Sequence, residues 1–441
     1  MIDLPANVRR KHVYIPGKTQ YGKSTIMFSM AMQDIQNGNG LAVLDPKSDL
    51  VEKLMQHIPD HRRDDVIYID GLTPTPIDFM SWETPEEKDL LASDIISTFK
   101  QTSQNVSGDR WPSILEWTLR ALLEARDCSF LDIYYFLVSD GRRRDILKKV
   151  HDEDTLQYWN EQYGKLPKDS ANAITTRMSK FLSPAIKSIL RNSPNPLNIS
   201  WLMENEKILL VNLMKCGKES GNLLGTLLVS KFQQGAMKRG GQVPEDRIPF
   251  YLYADEFQNF QTSAFDVILS EAGGLRLCLI LANQFVDQLD SKIRSSVFGC
   301  TSTYFIFRLS NENARLFKGE IRHTKQGQRG TGWGGVSLYR EIDVPFDVKQ
   351  LTQLKEGQVL YVAANGTAKL TQLKRPSFPT YERNAEYIKN RTKEFCGSPS
   401  LPKHDDVLKS KDDGNRAPTA QATDDDPGPT LQSDDTKPRH P

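Results

Sequence analysis

Three stretches carry residue types that could do phosphate chemistry. In "YIPGKTQYGKSTI" (Tyr14–Ile26), Gly17, Gly22, Lys23 and Ser24 stand at GxxxxGK[ST] spacing. Glycines there let backbone N–H groups turn onto phosphate oxygens, and a helix starting after the loop adds its partly positive N-terminus. The loop residues Gly17, Lys18, Thr19, Gln20, Tyr21, Gly22, Lys23, Ser24 and Thr25 are therefore candidates to hold ATP, with Lys23 reaching the β- and γ-phosphates and the Ser24 hydroxyl on Mg²⁺. The second stretch, "FYLYADEFQNF", ends the apolar run Phe250–Ala254 on Asp255 and Glu256. Asp255 fits a Mg²⁺ ligand acting through water, and Glu256 a group that orients or deprotonates an attacking water. The third, "LILANQF", sets Gln284 after another apolar run, where its amide could sense the γ-phosphate. Taken singly, each has a bland reading: a glycine-rich turn, an acidic strand end, a surface amide. Their presence in one chain, in the right local context, favours the site.

That context is a βαβ rhythm. "HVYIP" (residues 12–16) reads as a strand, and "TIMFSMAMQDIQNGNG" as a helix stopped by Asn-Gly. "GLAVLDPKSDL" holds a buried strand over Leu41–Leu44, followed by a helix in "DLVEKLMQHIP" and a strand in "DVIYID". Such alternation predicts a mainly parallel sheet covered by helices on both faces. It breaks near residue 84. From there to about Arg191 apolar residues recur three and four apart, as in "WPSILEWTLRALLEAR", so the segment reads as almost wholly helical. After "RNSPNPLNIS" the alternation resumes with strands in "KILLVNLM", "IPFYLYADE", "LRLCLILAN" and "STYFIFRL". The expected organisation is a nucleotide-binding domain, first part, over 1–83, an all-α insert over 84–196, and the second part of the nucleotide-binding domain over 197–396. The last stretch, 397–441, has seven prolines, clustered aspartates and no aromatics, and is expected to be disordered. The expected fold class is α/β, a P-loop NTPase sheet interrupted by an all-α insert.

Composition narrows the function classes. The 441 residues are 38% hydrophobic, enough to fill a core, yet no run approaches the ~18–20 apolar residues of a membrane span. The N-terminus lacks the apolar region of a signal peptide, so a cytoplasmic location is expected. A net charge of +1 gives no global argument for nucleic acid, so a DNA surface must be a local patch. The five cysteines form no CxxC pair, which supports neither a zinc site nor a disulfide framework.

Together, "HVYIPGKTQYGKSTIM", "GLAVLDPKSDL", "FYLYADEFQNF", "LILANQFVDQL" and "SVFGCTSTYFIFRLSNENARLF" resemble the conjugative coupling proteins of type IV secretion systems, within the FtsK/HerA-type group of P-loop DNA-pumping ATPases. The resemblance runs in order from His12 to Phe346. It implies a homo-hexameric ring, ATP bound between subunits, DNA passing through the centre without sequence reading, and an all-α domain on the cytoplasmic face of the ring. Relaxosome or secretion-channel proteins are the implied partners. Family members usually begin with a membrane-spanning region, and this chain shows no such segment before the loop. The expectation is therefore a soluble version of such a protein, or one placed at the inner membrane face through a separate partner protein. Two positions depart from the family pattern. Ser48 stands where relatives carry glycine, and Gly273 where they often carry an arginine upstream of the glutamine. Arg276 and Arg308 are the remaining candidates to reach a neighbouring subunit's γ-phosphate, with a structural or solvated arginine as the alternative for each.

For DNA, a ring pump grips phosphates with Lys and Arg and reads few bases. The densest basic run is "GRRRDILKKV" (Gly141–Val150), and "HTKQGQRGTGWGGVSLYR" mixes Lys325, Arg329, Trp333, Tyr339 and Arg340 with glycines that suit contact with single-stranded DNA. A solvated helix face and a plain glycine-rich hairpin are the alternatives. A helicase or packaging motor of the same superfamily, and a nucleotide-switched scaffold that recruits proteins, are the competing functions; the intact Asp255-Glu256 pair argues against the scaffold.

Overall fold

The computed structural model describes residues 6–73, 75–101, 110–327, 346–363 and 367–397. The expected disordered tail and most of the glycine-rich stretch, with Arg329, Trp333, Tyr339 and Arg340, lie outside them. Lys325 falls in a helix, but its side chain is not described.

Apolar runs of four to seven residues become the strands β1 (Val13–Pro16), β2 (Gly40–Asp45), β3 (Val66–Ile69), β4 (Ile208–Asn212), β5 (Phe250–Ala254), β6 (Leu277–Asn283) and β7 (Thr303–Ile306). Every residue in these seven strands is buried, as expected of a parallel sheet covered on both faces. The sheet order is β3-β4-β2-β5-β6-β1-β7-β8-β9. The last two strands, β8 (Gln358–Val362) and β9 (Ala368–Gln372), are antiparallel additions at one edge.

Side-chain alternation divides the core. Val13 and Ile15, Leu41 and Val43, and Tyr251 and Tyr253 face one layer, while Tyr14, Ala42, Leu44, Leu252 and Ala254 face the other. The first layer holds α2 (Lys23–Gln36), α3 (Asp49–Met55) and, through Ile388, α17 (Glu382–Gly397). A short α1 (Ala6–Arg9) precedes β1. The other layer holds α11 (Ile199–Glu204), α12 (Lys218–Met237), α13 (Ser263–Val267), α14 (Ser291–Cys300), α15 (Asn311–Gly327) and α16 (Val348–Gln353).

Between β3 and β4 the described chain is helical: α4 (Pro85–Gln101), α5 (Trp111–Ala125), α6 (Asp132–Val138), α7 (Asp140–Leu147), α8 (Glu153–Gln157), α9 (Asn172–Ser179) and α10 (Pro184–Leu190). The chain leaves and returns at one point. Ile77 and Leu197 form a parallel bridge, and Leu197 N–H donates to Pro76 O at 2.7 Å. The helical stretch is therefore an excursion from an otherwise continuous α/β frame. No helix among the described residues is long and apolar enough to cross a membrane. Among the described residues four cysteines are free, three of them buried.

His12, in a left-handed conformation (φ 59°), locks the start of β1 to β6: its Nδ1 accepts the Leu279 N–H at 3.0 Å. Burial lowers its pKa to about 4, against the pull of bonds to the Leu269 and Ile268 carbonyls. A depressed folded-state pKa gives stability that is present above the ordinary value of 6.5 and is lost as pH falls through 4, because the unfolded chain binds the extra proton. The contribution is about 3 kcal/mol. We expect denaturation free energies measured from pH 7 to 4 to fall by about that much more in the wild type than in His12→Asn, which keeps an acceptor for Leu279. Equal slopes would contradict it.

Candidate active site

The loop between β1 and α2 is held from both flanks. Gly17 N–H donates to Asn283 O at 3.2 Å, Lys18 N–H to Arg308 O at 2.9 Å, and Tyr21 O accepts from Gly357 N–H at 3.2 Å. Gly17 (φ 154°) lies against Phe307, whose Cβ would stand 2.4 Å from any Cβ added there. Gly22 (φ 120°) would place a Cβ 2.9 Å from the same ring. Both glycines are required by close approach as well as by backbone angle. Gln20, at the exposed crest beside Thr19, also takes a left-handed conformation (φ 66°). Gly22 offers no side chain to cap α2, so the first N–H groups of this 14-residue helix are left for a ligand. Lys23 is 5% exposed, and its Nζ donates to Gly17 O at 2.5 Å across the loop. Burial depresses its pKa while Glu256 and Asp255 oppose that shift. The cation is thus held at the mouth of a cradle of N–H groups, which fits a polyphosphate. Ser24 is exposed in the first turn and Thr25 half-buried beside it.

Sheet register brings the carboxylates to this loop. Ala254 pairs with Leu281, and Asn283 with Pro16, so Asp255, Glu256 and Gln284 leave the sheet at the level where the loop begins. Asp255 is 2% exposed; burial raises its pKa to about 6, with Lys47 opposing and Glu256 and Asp45 reinforcing. Glu256 is 4% exposed and left-handed (φ 47°), an uncommon conformation for a non-glycine residue and one that marks functional turns. Its Oε2 accepts from Gln258 Nε2 at 2.9 Å, and its Oε1 is ion-paired with Lys47. Burial works against its ionisation, but Lys47 and Gln258 bring its pKa below the usual range. Gln284 is half-buried next to Asn283, whose amide is spent on Tyr14 OH (2.8 Å) and Phe285 O (2.8 Å). The donor set fits Mg²⁺ bound with nucleotide: Ser24 and Asp255 supply one or two oxygens, and phosphate and water complete the shell.

Lys47 was not singled out from the sequence. It follows β2, which lies beside β5 only because β4 and β3 fall on the other side, and that order is not readable from chain order. The motif around it was readable. Ser48 adopts φ 74°, the conformation glycine takes without cost, and is supported by Asn212 Nδ2 donating to its Oγ at 2.6 Å. Asp45 caps α3, accepting the N–H groups of Lys47, Leu50 and Val51 at 2.8–3.0 Å.

The arginines part company. Arg308 Nη1 donates to Tyr21 OH at 2.9 Å, so it braces its own chain's loop. Arg276 precedes β6, at the opposite end of the strand from Gln284, and its guanidinium bonds to Arg247 O. A seven-residue strand, about 20 Å, separates it from this chain's loop. The basic run falls on and after α7, and much of its charge is matched: Arg142 pairs with Asp132, Arg143 with Asp140, Lys148 with Asp145 and Lys149 with Asp127.

No family model matches the sequence, and no curated protein matches it. Solved structures do. The bacterial conjugative coupling protein TrwBdeltaN70, in its unbound monoclinic form, is similar at TM-score 0.60 and 13% identity over 86% of this chain and 88% of that one. The plasmid coupling protein TrwB in complex with ADP and Mg²⁺ gives 0.59 and 14% over 87% and 90%. VirB4 of Thermoanaerobacter pseudethanolicus gives 0.54 and 13% over 84% and 91%. At these identities the likeness is one of fold, and the chain shares the P-loop α/β fold of these proteins across nearly its whole described length.

Proposed function

We propose that the chain is an ATP-hydrolysing ring motor that binds and moves DNA, acting as the coupling ATPase that feeds DNA to a type IV secretion or conjugation channel. The observation that carries the reading is the meeting of Lys23, Asp255, Glu256 and Gln284 at one end of β1, β5 and β6, beside an uncapped helix N-terminus. Lys23 exchanges its bond to Gly17 O for β- and γ-phosphate oxygens. Loop N–H groups orient the phosphates, and Ser24 and Asp255 position Mg²⁺. Bound ATP and Mg²⁺ supply the transferable phosphoryl group and neutralise its charge. Glu256 orients water and takes its proton, and Lys47 on Oε1 with Gln258 on Oε2 holds the carboxylate in place. Gln284 reads whether the γ-position is filled. The fold shared with conjugative coupling proteins supports the DNA and channel roles, the hexamer, the 84–196 stretch as a ring-face domain, and a cytoplasmic position at the membrane through partners. An arginine acting in trans is better sought at Arg276, which stands a strand's length from its own chain's loop, whereas Arg308 braces that loop.

Ring formation is tested with the hydrolysis-deficient Glu256→Gln chain. Its mass, measured by light scattering with ATP, Mg²⁺ and single-stranded DNA, should reach six copies. A mass that stays at one copy under saturating nucleotide would contradict the ring.

A further inference from the structure

A second cavity, of about 230 Å³, opens far from the loop, between α4, the start of α11 and the C-terminal half of α12. Its floor carries Lys231, 8% exposed. This ammonium has no hydrogen-bond partner among the described residues. The charged groups around it are Asp78, Lys238, Asp94 and Glu87. Each is otherwise engaged: Asp78 accepts the N–H groups of Met80 and Ser81 (3.1 and 2.9 Å), and Asp94 accepts from Gln234 Nε2 (3.0 Å). Lys238 bridges Glu83 and Glu87 at 2.7 and 3.2 Å. Lys231 lines the cavity, and its three donors can take a ligand acceptor in place of solvent. Burial, the largest influence, lowers the Lys231 pKa to about 8, in line with an unsatisfied cation.

The charge of the walls selects the ligand. The walls carry both signs, Lys231 and exposed Lys238 standing with Asp78, Glu87 and exposed Glu86. A ligand with a single charge meets like charge on one wall, whereas a ligand carrying both signs can pair with both. We propose that this cavity binds a small amino-acid-like zwitterion, its carboxylate on Lys231 Nζ and its ammonium among the carboxylates of Asp78 and Glu86. The volume suits a molecule of a few heavy atoms. The proposal is independent of the nucleotide site.

The test uses the whole chain and the ω-amino acids from glycine to 6-aminohexanoate as probes, titrated by calorimetry, with butyrate and butylamine as single-charge controls. We expect saturable binding of at least one amino acid, about tenfold or more tighter than either control. Lys231→Met keeps the side-chain length, so it should fold. It should melt at a higher temperature without ligand and bind the amino acid about 10- to 100-fold more weakly. Glu86→Gln, on the exposed rim, should weaken the amino acid about threefold and leave butyrate unchanged. Absence of saturable binding across the series, unchanged binding by Lys231→Met, or a lower melting temperature for that variant would each overturn the assignment.

Discussion

Glu256→Gln is expected to lower ATP hydrolysis by about 100-fold or more while nucleotide affinity stays within about threefold of wild type. The substitution is nearly isosteric. A glutamine oxygen still accepts from Lys47 and its neighbour Gln258, so the left-handed turn at 256 is kept. What is removed is the negative charge that orients water and accepts its proton. Lys23→Ala should behave differently, because Lys23 lies in the phosphate cradle: affinity and turnover should fall together. Phosphate release and titration with a fluorescent nucleotide separate the two. A Glu256→Gln chain with near wild-type turnover would remove Glu256 from the chemistry, and a Lys23→Ala chain with full affinity would remove the loop from binding.

Asp34→Ala is expected to destabilise the fold by about 3–5 kcal/mol. Asp34, fully buried on α2, takes Arg9 through both oxygens (2.6 Å from Nη2 to Oδ2), Tyr253 OH at 2.5 Å and Asn39 at 3.1 Å. Removing it leaves the Arg9 guanidinium, itself 6% exposed, facing only Tyr253 OH at 2.8 Å and the Tyr251 ring. The network also joins the loop-bearing helix to β5, the strand that Asp255 follows. Urea denaturation of the full chain measures the change; a loss below about 1 kcal/mol would show that the pair is dispensable. Asp34→Asn, which retains the acceptor for Tyr253, should lose less.

Much of this architecture was legible because parallel strands buried on two faces write themselves as continuous apolar runs. "LCLILA" and "FYLYA" could not face water on either side. The helical stretch between β3 and β4 was legible from its period. The edge hairpin β8-β9 was not assigned. Its outer strand alternates weakly, and Leu370 on it is 54% exposed, so little burial marks the pattern. Helix α17 went unassigned for a related reason: charged residues dominate it and Ile388 is its main deep anchor. At the site, the loop and carboxylates were legible because their chemistry needs fixed local spacing. Lys47 was not, because its meeting with Glu256 depends on strand order across two hundred residues of chain. The same limit applies to Arg308, whose bond to Tyr21 depends on β7 lying beside β1.

The most direct measurement is ATP hydrolysis by the purified full chain, alone and with single- or double-stranded DNA, with Glu256→Gln assayed in parallel. The account predicts hydrolysis that DNA stimulates and that is abolished, with and without DNA, by the substitution. A rate indifferent to both forms of DNA would contradict a DNA-moving motor, and a rate undiminished in Glu256→Gln would contradict the site itself.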